Sequence, residues 1–411
     1  MKKKSLIIGL LLGALLCTSM VSCAKSATSE TKEKAKKQTL TVTMALSEEE
    51  WDVMRNKVIP AFEASNDVEV NAIQVEASNV KKKLISMKES NKMEIDVIAQ
   101  DVNNMSSLVY EGLVEDLSDY TSIIPAESIG KLSKAGVIDG KTYFMPYRPN
   151  AEINYYNEIM FDKYNLEVPT TWNELYETAK TLKEKEGLGR LCLKMKLNGD
   201  IIELAEFIRS AGGDLLVLND EGSIEAFTFL QKLWPELSAD TIKAGFSSTN
   251  TFLATDEVYY CPNWPFSANI IVKDGGKKEI KSYAGFEGPK SYSKTLGGEM
   301  LGIPAGSPNK ELAIKFIQYL ESKDVQETFM KENGWASFRT DTYQNVDEWQ
   351  KPYFDSLQKA LEVATPLPRV SYWSEAQQLI NDAGKEILLN NADVKTTLDK
   401  YALKLEALRT K

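Results

Sequence analysis

The stretch at residues 143–156 reads YFMPYRPNAEINYY, and it decides how the rest of the chain is interpreted. Pro146 and Pro149 each fix a backbone φ angle and remove an N–H donor, so this stretch is expected to be extended rather than helical. The run Ala151–Tyr156 follows directly and is typical of a strand. The pattern therefore predicts a stiff segment that crosses from one part of the chain to another.

Short strand-like runs alternate with amphipathic helices on the N-terminal side of this segment. The strand-like runs are Thr39–Met44, Val68–Val75 and Glu94–Gln100. After the first of them, a capping box at Ser47–Glu50 opens a helix that carries Trp51 on its apolar face. Alternation of this kind predicts an α/β fold with mostly parallel sheets.

Helices are more frequent on the C-terminal side. A capping box at Thr171–Glu174 opens one of them, and strand-like runs return at Glu257–Cys261 and Ile280–Phe286. A glycine pair, Gly297–Gly298, precedes a further strand-like run, and the last third of the chain is helical. No internal repeat is visible, so the sequence does not predict a solenoid.

Composition restricts the function classes. The 411 residues are 43% apolar and 26% charged, which is close to the globular average and enough for two or three domains. The chain contains no histidine. This excludes a Ser-His-Asp or Cys-His nucleophilic site, a His-ligated zinc site and a histidine pH switch. Carboxylate chemistry and simple binding remain, and we expect neither a metal nor a cofactor.

The N-terminus has the features of a secretory signal: a lysine-rich start, the apolar run Leu6–Leu16 and a stretch of small residues. The apolar run is shorter than the roughly 20 residues of a membrane-spanning helix. The stretch Met20–Cys23 resembles a bacterial lipoprotein signal, which implies removal of residues 1–22 and attachment of a diacylglycerol group to Cys23. The alternative is an ordinary signal-peptidase site near Ser22.

Residues 23–38 are rich in lysine, serine and threonine and lack large apolar side chains, which predicts a flexible tether after the lipidated cysteine. We therefore expect a protein on the cell membrane that is lipid-anchored and faces outside the cytoplasm. Residues 39–411 hold 41 basic and 57 acidic residues, a net charge of −16. This charge argues against nucleic acid as a partner.

Cys192 and Cys261 are the cysteines that remain after the signal and Cys23. A disulfide between them would suit a protein outside the cytoplasm, but their spacing says nothing about geometry. Two buried thiols are the favoured interpretation.

A series of short motifs resembles, in order and spacing, the extracellular solute-binding proteins of carbohydrate ABC importers, family 1, of the maltose-binding type. The motifs are IPAFE at 59–63, DVI at 96–98, INYYN at 153–157, VPTTWNEL at 168–175, NWP at 263–265 and GIPAGSPNKELA at 302–313. Together they cover almost the whole mature chain.

This resemblance implies an α/β, two-lobed periplasmic-binding-protein fold, in which the chain crosses a hinge about three times and the solute lies in the cleft between the lobes. We expect the crossings near Pro149, Phe286 and Ser322. Lobe one is then 39–148 plus 287–322, and lobe two is 149–286 plus 323–411. The resemblance also implies a monomer that delivers a sugar or oligosaccharide to ABC permease subunits and is not an enzyme.

Sugar chemistry indicates which side chains hold such a solute. Pyranose rings offer apolar C–H faces to aromatic rings, and hydroxyl edges to carboxylates and guanidinium groups. Trp264, Trp335 and Trp373 lie in segments typical of loops, where binding residues are common. The resemblance places cleft aromatic residues at positions like those of Trp264 and Trp373. Three other tryptophans lie on or beside apolar helix faces and are interpreted as core residues: Trp51, Trp172 and Trp234.

The polar candidates are Ser47, Glu49, Asp101, Arg148 and Glu299. Ligands of open α/β sheets bind beyond the carboxyl ends of the strands, where Ser47, Glu49 and Asp101 stand. Helix capping is the structural alternative for these three residues. For Arg148 the alternative is a solvated surface position.

Three other functions stay open at this point. A secreted carbohydrate-active enzyme could use two carboxylates about 5–10 Å apart, although no strand carries an obvious acid pair. The same fold could hold an anionic solute through Arg148 and helix N-termini. A third alternative is a lipoprotein that senses a solute for a membrane kinase, which neighbouring permease genes would distinguish from a transporter.

Overall fold

A computed structural model describes residues 37–198 and 201–409. The strands in this part of the chain are β1 Gln38–Met44, β2 Val68–Gln74, β3 Val97–Asp101, β4 Val137–Ile138, β5 Lys141–Thr142, β6 Phe144–Asn150, β7 Ile153–Asn157, β8 Tyr260–Asn263, β9 Ile280–Tyr283 and β10 Gly297–Gly302. The α-helices are α1 Glu48–Val53, α2 Ile59–Asn66, α3 Ala77–Glu89, α4 Met105–Tyr110, α5 Glu158–Lys163, α6 Trp172–Glu186, α7 Ile202–Ser210, α8 Glu221–Leu233, α9 Phe246–Ala254, α10 Lys310–Leu320, α11 Lys323–Asn333, α12 Lys351–Val363, α13 Trp373–Gly384 and α14 Val394–Arg409.

The first sheet has five strands in the order β2-β1-β3-β10-β6. β1 pairs in parallel with β2 and β3, whereas β10 runs antiparallel to β3 and β6. The registers place Glu299 opposite Asp101 on one side and opposite Arg148 on the other. The sheet thus brings three of the predicted site residues onto adjacent strands.

The second sheet has the order β8-β7-β9, and both of its strand pairs are antiparallel. The prediction of mostly parallel sheets is therefore wrong for this sheet, and the first sheet is mixed. The reason is that β7 pairs with strands far downstream in sequence. Whether two such strands run parallel or antiparallel depends on long-range packing. The local alternation of strands and helices does not reveal it.

The chain passes between the two sheets at identifiable points. Residues 151–152 alone separate β6 of the first sheet from β7 of the second, next to the predicted crossing at Pro149. The second passage lies between β9 and β10, around Phe286. The third was predicted near Ser322, but α11 packs Val325 into the same apolar cluster as β1. This packing favours a third crossing beyond α11, and the lobe boundaries stay predictions.

Apolar side chains are buried in three clusters. The β1 cluster joins β1 to the first two helices, α10 and α11, and contains Trp51. The α7 cluster joins α6, α7, α8, α13 and α14 and contains Trp172. The central cluster runs from α3 and β6 to β7 and α12, with Phe144 and Tyr155 among its members. The core interpretation is confirmed for Trp51 and Trp172, while Trp234 is partly buried against the α7 cluster.

The predicted signal at 1–22, the lipidation at Cys23 and the tether up to residue 36 lie outside the described residues. Gln38, predicted to end the tether, is the first residue of β1. In the part of the chain that the structure covers, no helix has the length and apolarity that crossing a bilayer requires. Cys192 and Cys261 are both free thiols and are buried.

Candidate functional site

Arg148 is the centre of the site, because its guanidinium lies between two carboxylates. Its Nε donates to Glu299 Oε2 at 2.6 Å, and its Nη1 donates to Glu50 Oε1 at 3.1 Å. The Arg148 side chain is 21% exposed and that of Glu299 is 9% exposed. Burial disfavours the charged guanidinium, but the two carboxylates outweigh it and raise the pKa of Arg148. Arg148 therefore stays charged, with its charge balanced inside the protein.

Strand pairing and a helix cap hold these three residues. Arg148 on β6 stands directly opposite Glu299 on β10. Glu50 lies in the first turn of α1, where Ser47 Oγ accepts from its backbone N–H at 3.3 Å and its Oε2 accepts from the Ser47 N–H at 2.8 Å. The predicted capping box is confirmed. One oxygen of Glu50 closes the cap while the other binds Arg148, so the cap ties α1 to the site.

Trp335 lies against this group. Its indole N–H donates to Glu50 Oε1 at 2.6 Å, and the Arg148 Cζ stands 4.2 Å from the ring centroid. Tyr147 contacts the ring edge-on, and Trp335 is 4% exposed. Trp335 was predicted as a loop aromatic residue for solute contact. In the structure it supports Arg148 instead of presenting an exposed face.

The glycine pair at the start of β10 allows a close approach of two strands. Gly298 has a φ of +93°, and a Cβ there would lie 2.1 Å from the Arg148 carbonyl oxygen. A Cβ on Gly297 would lie 2.8 Å from the Trp264 ring. Only glycine leaves room for both neighbours at these positions. The pair thus lets β10 reach β6 and lets Trp264 lie beside the strand.

Trp264 follows β8 of the second sheet and is partly exposed. Its backbone N–H donates to Asn263 Oδ1 at 2.9 Å, and its ring rests against Gly297. The Lys194 ammonium stands 4.8 Å from the ring centroid and forms a buried ion pair with Glu152. Trp264 therefore supplies an aromatic ring from the second sheet. The ring lies beside β10, the strand of the first sheet that carries Glu299 between Asp101 and Arg148.

Asp101 stands at the end of β3 and is partly exposed. Its Oδ1 accepts from the Asn103 N–H at 2.8 Å, and the N-cap of α4 is Asn104, so the N-cap alternative for Asp101 is wrong. Ser47 and Glu49 are exposed at the start of α1. Hydrogen bonds from its own backbone N–H and from the Ser47 hydroxyl lower the pKa of Glu49.

Trp373 is the first residue of α13 and is 7% exposed within the α7 cluster. Its indole N–H is buried and has no hydrogen-bond partner among the described residues. Trp264 packs against the same cluster from outside. The structure thus places Trp373 in the core of the second half, while Asp101, Arg148, Glu299, Trp335 and Trp264 come together.

Two acidic residues of α7, Glu203 and Glu206, were not predicted as part of this region. Glu203 accepts two hydrogen bonds from the Lys194 backbone N–H, at 2.7 and 2.8 Å. Glu206 accepts from Lys294 Nζ and from the Thr295 N–H, both at 2.8 Å. Burial raises the pKa of Glu203 to about 8, in spite of the nearby Lys194. The available signal was two acids at helical spacing on the apolar helix α7.

Comparison with known proteins places this geometry in context. The family model described as bacterial extracellular solute-binding protein matches residues 57–354. A putative binding protein of Brucella abortus is 24% identical over 328 residues, covering 74% of this chain and 77% of the relative. The diacetylchitobiose binding protein DasA of Streptomyces coelicolor is 26% identical over 249 residues, covering 57% of this chain and 58% of DasA.

Solved structures share the fold. The sugar-binding protein MalE of Xanthomonas citri has a TM-score of 0.80 at 16% identity, covering 90% of this chain and 97% of MalE. Maltose-bound MalE3 of T. maritima has a TM-score of 0.77 at 22% identity, covering 90% and 99%. These likenesses show the predicted two-lobed periplasmic-binding-protein fold. With the family match over most of its length, the chain belongs to the bacterial extracellular solute-binding proteins.

Proposed function

We propose that this protein binds a sugar or oligosaccharide in the cleft between its lobes and delivers it to an ABC importer. The observation that carries the proposal is the position of Trp264 beside β10, which carries Glu299 and whose neighbouring strands contribute Asp101 and Arg148. A pyranose ring binds an aromatic face through its C–H groups and binds carboxylates and guanidinium groups through its hydroxyls. The site offers both kinds of surface.

The relatives support the sugar class. DasA is named for diacetylchitobiose, and the structure of T. maritima MalE3 is described as maltose-bound. They support a carbohydrate over other solutes of the family.

The charge of the site argues against the anionic alternative. Arg148 is the arginine that was expected to hold an anion, and its charge is already balanced by Glu50 and Glu299. Asp101 on the adjacent strand adds a further carboxylate. A phosphate or carboxylate entering this site would meet more negative than positive charge. A neutral sugar meets no such penalty.

We also infer that no chemistry follows binding. Members of the family are solute-binding proteins. Glu50 and Glu299 both bind Arg148 and are therefore not free to act as an acid and base pair. Their engagement by Arg148 argues against these two residues as the carboxylate pair of a carbohydrate-active enzyme.

Within the site, we assign stacking against the solute to Trp264 and hydroxyl contacts to Asp101, Ser47 and Glu49, which are at least partly exposed. Arg148, Glu299 and Trp335 form the floor and hold its shape. Trp373 would contact the solute only through its indole N–H, which is buried and has no hydrogen-bond partner among the described residues.

The proposal includes the membrane context expected from the sequence. Cys23 would carry a lipid anchor on the outer side of the cytoplasmic membrane, the protein would act as a monomer, and the partners would be ABC permease subunits. A sensor component remains the alternative to a transporter. The lobes would be 39–148 plus 287–322 and 149–286 plus 323–411, with the last boundary shifted beyond α11 if packing defines it.

A thermal-shift screen of the purified protein against mono-, di- and oligosaccharides tests the function. A ligand present at 100 times its dissociation constant stabilises the folded state by about 2.7 kcal/mol, so binders will raise the melting temperature. At the same sugar concentration, a Trp264→Ala variant should show a clearly smaller shift. Sugar phosphates and uronic acids, screened in the same way, test whether the protein binds an anionic solute instead. A shift with these anions and none with neutral sugars would contradict the proposal, as would chemically modified sugar after incubation.

A further inference from the structure

Cys192 and Cys261 lie beside each other on neighbouring extended segments. Leu191 and Tyr260 form a parallel bridge, and the Cys192 N–H donates to the Tyr260 carbonyl oxygen at 2.9 Å. This register places Cys192 next to Cys261 of β8. Neighbouring strands are about 4.8 Å apart, which lies inside the range of about 4.4–6.8 Å for the Cα atoms of a disulfide.

The two thiols also point to the same side. Both cysteines belong to the central cluster, whereas Leu191 and Tyr260, the residues before them, belong to the α7 cluster on the opposite face. Each thiol donates to the carbonyl oxygen of the residue that follows it, Cys192 Sγ to Leu193 at 3.4 Å and Cys261 Sγ to Pro262 at 3.5 Å. The strand register and the shared face therefore both indicate that the two cysteines are neighbours.

We propose that Cys192 and Cys261, which are unlinked thiols in this structure, become joined by a disulfide when the chain folds outside the cytoplasm. The family is extracellular, and compartments outside the cytoplasm allow disulfides to persist. The oxidant would be a small-molecule or protein disulfide. The thiolate of one cysteine attacks it and releases one thiol, and the other cysteine then attacks the mixed disulfide and releases a second. The S–S bond of the oxidant breaks, one S–S bond forms between Cys192 and Cys261, and the two cysteine protons end on the two released thiols.

Burial determines when this step occurs. Both cysteines have no exposed surface in the folded protein, so an external disulfide cannot reach them there. Burial also raises the pKa of Cys261, which keeps the thiolate scarce once the core has closed. The bond therefore forms during folding, before the central cluster closes, and is afterwards protected from reductants.

The bond would bear on the proposed binding surface. Cys261 lies three residues before Trp264, and Cys192 lies two residues before Lys194, whose ammonium stands near the Trp264 ring. Joining the two segments would fix the distance between the ring and the charge beside it. This consequence rests on the proposed role of Trp264, whereas the disulfide itself does not.

The test is differential alkylation of the full chain isolated from the outer side of the producing cell's membrane. The protein is denatured without reductant, alkylated, reduced, alkylated with a heavier reagent and digested for mass spectrometry. We expect the peptides of Cys192 and Cys261 as one cross-linked species before reduction and with the heavy label after it. Light label on both cysteines, or linkage of either to Cys23 or to glutathione, would overturn the proposal.

Refolding gives an independent measurement. The reduced, unfolded chain is refolded with a mixture of oxidised and reduced glutathione, and the same cross-linked species is expected within the folding time. Cys261→Ala is the matched variant, in which Cys192 should stay a free thiol. A reductant added during refolding should lower the melting temperature of the wild type and leave that of Cys261→Ala unchanged. Equal melting temperatures with and without reductant in the wild type would contradict the bond.

Discussion

Glu299 accepts a hydrogen bond from Arg148 Nε at 2.6 Å across the paired strands β10 and β6. Glu299→Gln removes one of the two charges that balance Arg148. Breaking a buried ion pair costs about 3–5 kcal/mol, and the partial exposure of Arg148 reduces the expected loss to about 2 kcal/mol. Urea unfolding measures it. Glu332→Gln, at a surface pair with Lys57, is the control and should change little. Equal losses in both variants would contradict the central role of Arg148.

Trp264 and Trp373 are expected to respond differently to truncation. Trp264→Ala should weaken sugar binding by about tenfold or more, with little change in the melting temperature of the ligand-free protein, because the ring is partly exposed. Trp373→Ala should lose about 3–5 kcal/mol of stability, since the ring is buried in the α7 cluster. Calorimetric titration and thermal melts separate the two outcomes. Unchanged affinity for Trp264→Ala would remove it from the site.

Gly298→Ala should destabilise the protein through both strain and collision. The residue has a φ of +93°, and the added Cβ would meet the Arg148 carbonyl oxygen at 2.1 Å. Gly276→Ala is the matched control, since Gly276 also has a positive φ, +71°, but open space around it. Strain alone costs about 1–3 kcal/mol, so a larger loss for Gly298→Ala in thermal melts isolates the close approach. Similar melting temperatures would refute it.

Glu203 should make stability depend on pH. Its pKa is raised from the ordinary value of 4.5 to about 8 in the folded state. Between these values the folded protein binds more protons than the unfolded chain, so the free energy of unfolding falls as pH rises from about 4.5 to 8. Glu203→Gln should flatten this dependence in urea titrations at pH 5, 6, 7 and 8. The exposed Glu225→Gln should keep the wild-type slope, and a wild-type slope in Glu203→Gln would contradict the assignment.

Cys23→Ala should release the protein from the membrane fraction. Stable anchoring takes about two acyl chains, which a diacylglycerol group supplies. Sugar affinity should be unchanged, because Gln38–Met44 already forms the first strand of the fold. Fractionation with immunoblotting measures the release. Ser22→Ala is a control that leaves the cysteine in place and should still pellet, whereas pelleting of Cys23→Ala would show that the anchor lies elsewhere.

Site residues could be predicted from the sequence where their position in a single strand or loop already indicates their role. Asp101 was identified from its place at the end of a strand and Glu299 from its place after a glycine pair at the start of one, and strand pairing then put them side by side. Glu50 was missed because the capping box already accounted for it, and no local pattern shows that its second oxygen binds Arg148. Trp335 has the flanking residues of an exposed loop, and its burial comes from the distant residues Glu50 and Tyr147.

The fold, like the site, could be predicted where the signal is local and not where it depends on residues far apart in the sequence. The strands of the first sheet were located to within a few residues, because alternation and burial are local signals. The antiparallel pairing of β7 with β8 and β9 depends on which distant strands meet, and the chain order of strands and helices does not state it. Similarly, the sequence did not indicate that α11 packs in the same apolar cluster as β1. The apolar face of an amphipathic helix predicts that the helix is packed against another element, but it does not identify that element.

The passage from β6 to β7 consists of Ala151 and Glu152, both without exposed surface. Two residues contribute only four soft dihedral angles, so a relative movement of the two sheets has very few degrees of freedom at this point. A connecting segment with few accessible conformations loses little conformational entropy when solute binding fixes it in one of them. Ordering a long solvated linker on binding would cost conformational entropy and weaken the affinity. The two-residue connection avoids most of this cost, so more of the free energy of the solute contacts contributes to affinity.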